Sequence, residues 1–141
     1  MLAFSGCQTI PALPPVNFSQ PGWNIRQGQA VWCRGKDAPE ITGELLVAAN
    51  PDGRSFVQFT KTPIPFIIAQ TASNSWQINF VPANRIYSAR GNPPARIVWF
   101  QLPRCLSGAP PSKGWECINH GFDFRIERPS TGESLEGYLN P

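Results

Sequence analysis

The chain has 141 residues, the size of one ordinary domain, with 41% hydrophobic but only 15% charged residues. Its 16 prolines and 12 glycines argue against long helices and for many turns. The net charge of +3 comes from twelve Lys and Arg spread from Arg26 to Arg128 without a basic run, which excludes the electrostatic footprint of a nucleic-acid binder, and no window approaches the roughly 20 apolar residues of a membrane-spanning helix.

The chain opens MLAFSGC, in which Cys7 follows two small residues and an apolar one, the way a bacterial lipoprotein signal ends. PALPPVNFSQPG then carries four prolines and no charge, the composition of an extended tether. Residues 1–22 therefore read as a truncated lipoprotein signal plus a Pro-rich tether, and 23–141 as a single folded domain.

From Trp23 onward, period-2 patterns dominate. Strands are predicted over NIRQGQAVWCRG (24–35), ITGELLVAA (41–49) and RSFVQFTK (54–61). Asn50-Pro51-Asp52-Gly53 forms a tight turn between the last two. PFIIAQT (65–71) and SWQINFV (75–81) make a second hairpin. Within it Trp76, Ile78 and Phe80 share one face and Ser75, Gln77 and Asn79 the other, a sheet with one dry and one wet side.

GNPPARIVWFQLPRCLSG (91–108) breaks the rhythm. Asn92 ahead of Pro93-Pro94 suggests a cap with proline in the first turn, and the apolar run after it predicts a short helix over about 94–102, stopped or kinked at Pro103. Such a helix is too apolar to lie free in water and belongs against the dry face. Strands return at 114–120, 122–128 and 134–139. The expected fold is mainly β: a curved antiparallel sheet or unclosed β-barrel of seven or eight strands, with one short apolar helix on its concave face.

Four cysteines show no metal-ligand spacing, and His120 is the sole histidine. Cys105 and Cys117 either form a disulfide in an oxidising compartment or remain buried thiols. Nucleophile elbows, P-loops and zinc-protease motifs are absent from the sequence. A general base at His120 would need Asp123 or Glu116 to converge on it. Asp123, Glu127, Glu133 and Glu136 read as outward-facing carboxylates that pair with Arg125 and Arg128 on the surface. No catalytic residue, cofactor or metal is expected.

The distinctive features are apolar. Ile64 lies between Pro63 and Pro65 at a strand junction, where proline blocks ladder pairing. It is either packed on the core or displayed as a tip that touches lipid. Trp32, Trp76, Trp99 and Trp115 fall on predicted strands or the helix, mostly at core phases, so the interior is either filled or hollowed into an acyl pocket.

FSGC, the Pro-rich tether, FVQFTKTPIPFIIAQ with its Pro-containing apolar loop, and RIVWFQLPRCLSGAPP together resemble the outer-membrane lipoprotein-sorting family, the LolA/LolB-like proteins, most closely those of LolB type. The resemblance implies an unclosed barrel that transiently binds lipoprotein acyl chains or lipid without catalysis, as a monomer at the periplasmic face of an outer membrane. It also implies that Cys7 is the acylated anchor and Ile64 the apolar loop tip. Val98, Trp99 and Leu102 match the lid, and Trp76 falls with them at the cavity. The alternative is an interaction lipoprotein with a filled core that contacts another envelope protein.

Overall fold

The structure, a computed structural model, describes residues 13–141; Cys7 lies outside the described residues. Nine antiparallel strands form one sheet: β1 (Asn24–Cys33), β2 (Glu40–Ala49), β3 (Ser55–Lys61), β4 (Ile64–Ala72), β5 (Ser75–Phe80), β6 (Arg85–Arg90), β7 (Glu116–Asn119), β8 (Asp123–Arg128) and β9 (Glu133–Leu139). Their spatial order is β6-β5-β4-β3-β2-β1-β9-β8-β7, so the sheet does not close and β6 and β7 are its edges. One helix, α1 (Val98–Ser107), crosses the concave side and contacts β3 and β4 on one arm and β7 and β8 on the other.

Alternation decides which side chains enter the core. Along β3, Ser55, Val57 and Phe59 are buried while Phe56, Gln58 and Thr60 are only partly covered. The register then lines up Leu45, Phe59, Ile67 and Phe80 as one row on the concave face, with Val47, Val57, Ala69 and Ile78 as the next. The turn at Asn50 forms as expected, with Gly53 N–H donating to Asn50 O at 2.9 Å and Gly53 at φ 99°.

β1 and β9 meet at a close crossing. A Cβ on Gly28 would collide with the Tyr138 carbonyl, and one on Gly137 with that of Gln29. Two glycines thus bring the two arms of the sheet within pairing distance.

Three expectations are corrected. Among the described residues there are nine strands where seven or eight are expected: β6, RIYSAR, lacks the alternating signal because it is an exposed edge whose apolar residues Ile86 and Tyr87 are adjacent. The helix starts at Val98, not near 94. Pro93–Ile97 instead form a turn in which Ile97 N–H donates to Pro94 O, and no side chain caps the helix. Pro103 lies inside the helix and does not stop it, although it removes the N–H that Trp99 O would accept. Burial of Leu102 and Cys105 on either side offsets that loss, and Gly108 at φ 82° ends the helix with its N–H on Arg104 O and Cys105 O.

The third concerns 13–22, which is not a free tether. Leu13 N–H donates to Gln77 Oε1 at 2.9 Å, and Phe18 packs edge-on against Trp23 and Phe56 on the convex face. Arg54 stacks over Trp23 at 5.0 Å.

The core is centred on Trp99, whose ring lies 5.1 Å from both Trp32 on β1 and Phe59 on β3. Cys105 and Cys117 form a disulfide that ties α1 to the edge strand β7, with Cα atoms 5.8 Å apart. The Trp99 indole N–H is buried with no hydrogen-bond partner among the described residues. A buried orphan donor costs about 1–3 kcal/mol, whereas truncating a core Trp to Ala costs about 3–5 kcal/mol. Trp99→Ala should therefore lower urea-unfolding stability by roughly that larger amount. Trp99→Phe, which removes the orphan while keeping a ring, should cost clearly less, and equal losses would show that the ring is not the centre of the core.

Candidate functional site

The two arms of the sheet do not meet over their whole length. At the end where β1 and β5 finish and β4 and β9 begin, an open cleft of about 400 Å³ remains, lined by Trp32, Phe66, Ile67, Phe80, Pro82 and Ala83, with Arg34 and Glu133 on its polar side. That volume lies in the lower part of the ligand-site range of about 300–1,000 Å³.

Local irregularities build its walls. The register of β3 with β4 steps from Phe59–Ile67 to Thr60–Pro65, which leaves Phe66 as an extra residue. The bulge turns Phe66, out of phase with Ile67, onto the cleft, where its ring lies 6.5 Å from Trp32. Proline at 65 has no N–H for a regular ladder, which accounts for a bulge at this point. Opposite, Val81–Ala83 forms a single 3-10 turn ended by Asn84 at φ 52°, and it carries Pro82 and Ala83 to the rim. Ile64, two residues before Phe66, is 57% exposed at the start of β4.

Trp32 is the floor. One side of its ring meets Trp99 and Phe59, and its indole N–H donates to Glu133 Oε2 at 3.0 Å. The Arg34 guanidinium carbon lies 5.9 Å from the Trp32 ring centroid.

Glu133 departs from the sequence expectation. Arg125 does pair with Glu136 at 2.9 Å and with Glu127 at 3.3 Å on the convex surface. Glu133, however, shares the concave phase of Leu135 and Leu139 and sits opposite Arg128 in the register. Arg128 does not form an ion pair with it; its guanidinium lies over Trp115 at 5.7 Å. Burial pushes the Glu133 carboxyl above its ordinary value of 4.5, opposed by the Trp32 hydrogen bond and the positive charge of Arg128. The signal was present in the sequence, since a glutamate two residues before Leu135 must face the way the leucine faces.

The other candidates lie elsewhere. Val98, Trp99 and Leu102 are fully buried in the packed centre, and Trp76 stacks on Phe100 at 5.7 Å, so none of the four lines this cleft. His120 and Asp123 meet through their backbones, His120 N–H donating to Asp123 O at 2.8 Å, in an exposed turn; Glu116 is at the far end of β7. The three do not converge. A groove of about 320 Å³ on the sheet's outer side is lined by Gln27, Gln29, Glu44, Gln58 and Thr60 and is polar in character. Among the described residues, no group of three or more His, Cys, Asp or Glu is placed to hold a metal ion.

No family model matches the chain, and no curated protein matches it either.

Because folding raises the Glu133 pKa, the folded state holds the extra proton, and stability falls as pH rises from 4.5 through the folded value. Glu133→Gln keeps an acceptor for Trp32 and removes that loss. Its stability relative to wild type should be greater at about pH 7 than at about pH 3, measured by urea unfolding. A difference that stays constant across that range would mean that the carboxyl is not desolvated.

Proposed function

We propose that this protein is a non-catalytic envelope lipoprotein of LolB type that binds a single acyl chain in the cleft at the mouth of the half-barrel and acts in lipoprotein localisation. The observation that carries the reading is the cleft itself, with six apolar side chains around about 400 Å³; Ile64, two residues before the lining residue Phe66, is exposed at the start of the same strand. In this reading Cys7 is acylated and holds the domain at the periplasmic face of the outer membrane, and Ile64 enters the lipid surface. The resemblance of FSGC and FVQFTKTPIPFIIAQ to that family supports the same assignment.

Magnitudes make the binding transient. Each methylene covered there contributes ~0.8 kcal/mol, from which the cost of association is subtracted, so an open cleft of about 400 Å³ holds a chain weakly. A carrier that must release its chain to a membrane is served by weak binding, whereas a storage protein needs a deeper pocket.

A second reading, a structural or interaction lipoprotein, draws on the filled centre around Trp99 and on edge strand β6, whose Ile86 and Tyr87 are exposed. In that case a partner strand adds to β6 and the cleft stays idle.

A brominated lauroyl chain distinguishes the two by quenching tryptophan fluorescence on contact. Trp32 is the tryptophan that lines the cleft, so quenching should appear in the wild type and be lost in Ala83→Phe, which fills the rim from a solvent-exposed turn. Ile64→Asp should leave quenching by the soluble chain intact while weakening association with anionic vesicles. Quenching that persists in Ala83→Phe, or none at all, would remove the cleft as the site.

A further inference from the structure

An apolar cleft with one inward carboxylate is more selective than an apolar cleft alone. The six apolar residues say only that a chain fits. The polar side says what the chain can be attached to. Glu133 Oε2 is occupied by the Trp32 indole N–H, while its second oxygen has no hydrogen-bond partner among the described residues. Arg34 lines the same side, forms no ion pair among the described residues and has its guanidinium near the Trp32 ring. A free acceptor and a free donor group therefore stand together at the polar side of an apolar cleft.

From this juxtaposition we infer that Glu133 and Arg34 form a headgroup subsite for a neutral acyl derivative, one that presents an N–H or O–H beside its carbonyl. The ligand's donor hydrogen goes to the open oxygen of Glu133, and its carbonyl oxygen accepts from Arg34. A glyceryl monoester and an amide-linked acyl chain both have this chemistry. A free fatty acid does not: with its chain in the cleft, its carboxylate would share the polar side with the Glu133 carboxylate, and like charges in a partly desolvated site repel. A quaternary ammonium head is drawn to Glu133 but has no proton to donate and is repelled by Arg34 and by Arg128, which sits opposite Glu133 in the strand register. The inference rests on the acyl-binding reading and narrows it from any chain to neutral esters and amides.

The test compares four probes with the same twelve-carbon chain at about pH 8, well above the ordinary carboxylate range: 1-lauroylglycerol, N-lauroylglycinamide, laurate and dodecyltrimethylammonium. Below their micelle-forming concentrations, isothermal calorimetry should show the two neutral probes binding about tenfold tighter than either charged one. The tighter of the neutral two identifies the source, an ester lipid or an amide-linked chain. Glu133→Leu should weaken 1-lauroylglycerol and strengthen laurate, reversing the order. Glu133→Gln, which keeps the Trp32 partner but puts an NH2 donor where the open oxygen was, should likewise weaken 1-lauroylglycerol and strengthen laurate, and it remains informative where leucine disturbs the packing. Equal affinities for all four probes, unchanged in Glu133→Gln, overturn the headgroup subsite and leave the acyl reading standing. If no probe binds the wild type, the acyl reading itself falls.

Discussion

The stack of Trp99 between Trp32 and Phe59 governs the shape of this molecule. Trp99 comes from the helix, Phe59 from one arm of the sheet and Trp32 from its central strand, with ring centroids 5.1 Å apart on each side of Trp99. Offset and edge-on aromatic contacts favour such spacing, and each ring buries a large apolar area. With that much volume inside, the sheet curls around the helix and cannot close on itself. Both edges, β6 and β7, remain free as a result, and α1 must reach across to both arms. The disulfide from Cys105 to Cys117 secures the helix to the shorter arm, where β7 has only four residues to hold it.

The cleft follows from the same constraint. Trp99 fills the middle of the trough, and the helix axis leaves the far end uncovered. What remains there is bounded by the other side of Trp32, by the bulged Phe66 and by the 3-10 turn at Pro82. Filled core and open cleft are thus two sides of one indole. This settles a choice that composition leaves open, since five tryptophans can line a cavity or occupy it. Here the helix residues occupy it, and a strand residue, Trp32, lines what is left.

Glu133 shows how a charge can be assigned by neighbourhood and still point the other way. Asp123, Glu127 and Glu136 lie on the convex phase with Arg125, and two of them pair with it. Glu133 lies in the same hairpin, yet its phase is that of Leu135. The cost of placing a carboxylate there is reduced by the Trp32 N–H and by the field of Arg128. An inward carboxylate at the mouth of an apolar trough is expensive for the fold alone, which is the reason to connect it with a ligand.

Much of the architecture was legible in the sequence because strand alternation is a local property: Phe124 and Ile126 point inward whatever surrounds them, and Asn50-Pro51-Asp52-Gly53 turns by its own backbone preferences. The mainly β class, eight of the nine strands, the single apolar helix and its place on the concave face could all be read from such patterns. Three features could not. The helix start moved to Val98 because the turn at Pro94 and the packing of Trp99 outweighed a local capping signal. The segment 13–22 docked because Phe18 found Phe56, 38 positions away in the chain, a contact no composition encodes. The cleft exists only because Trp32, Phe66, Phe80 and Glu133, from four different strands, end at the same mouth. The sequence by itself determined which side of each strand is dry. Tertiary structure alone decided how much of the dry side is filled, because that depends on volumes contributed by residues far apart in the chain and summed only once they are packed together.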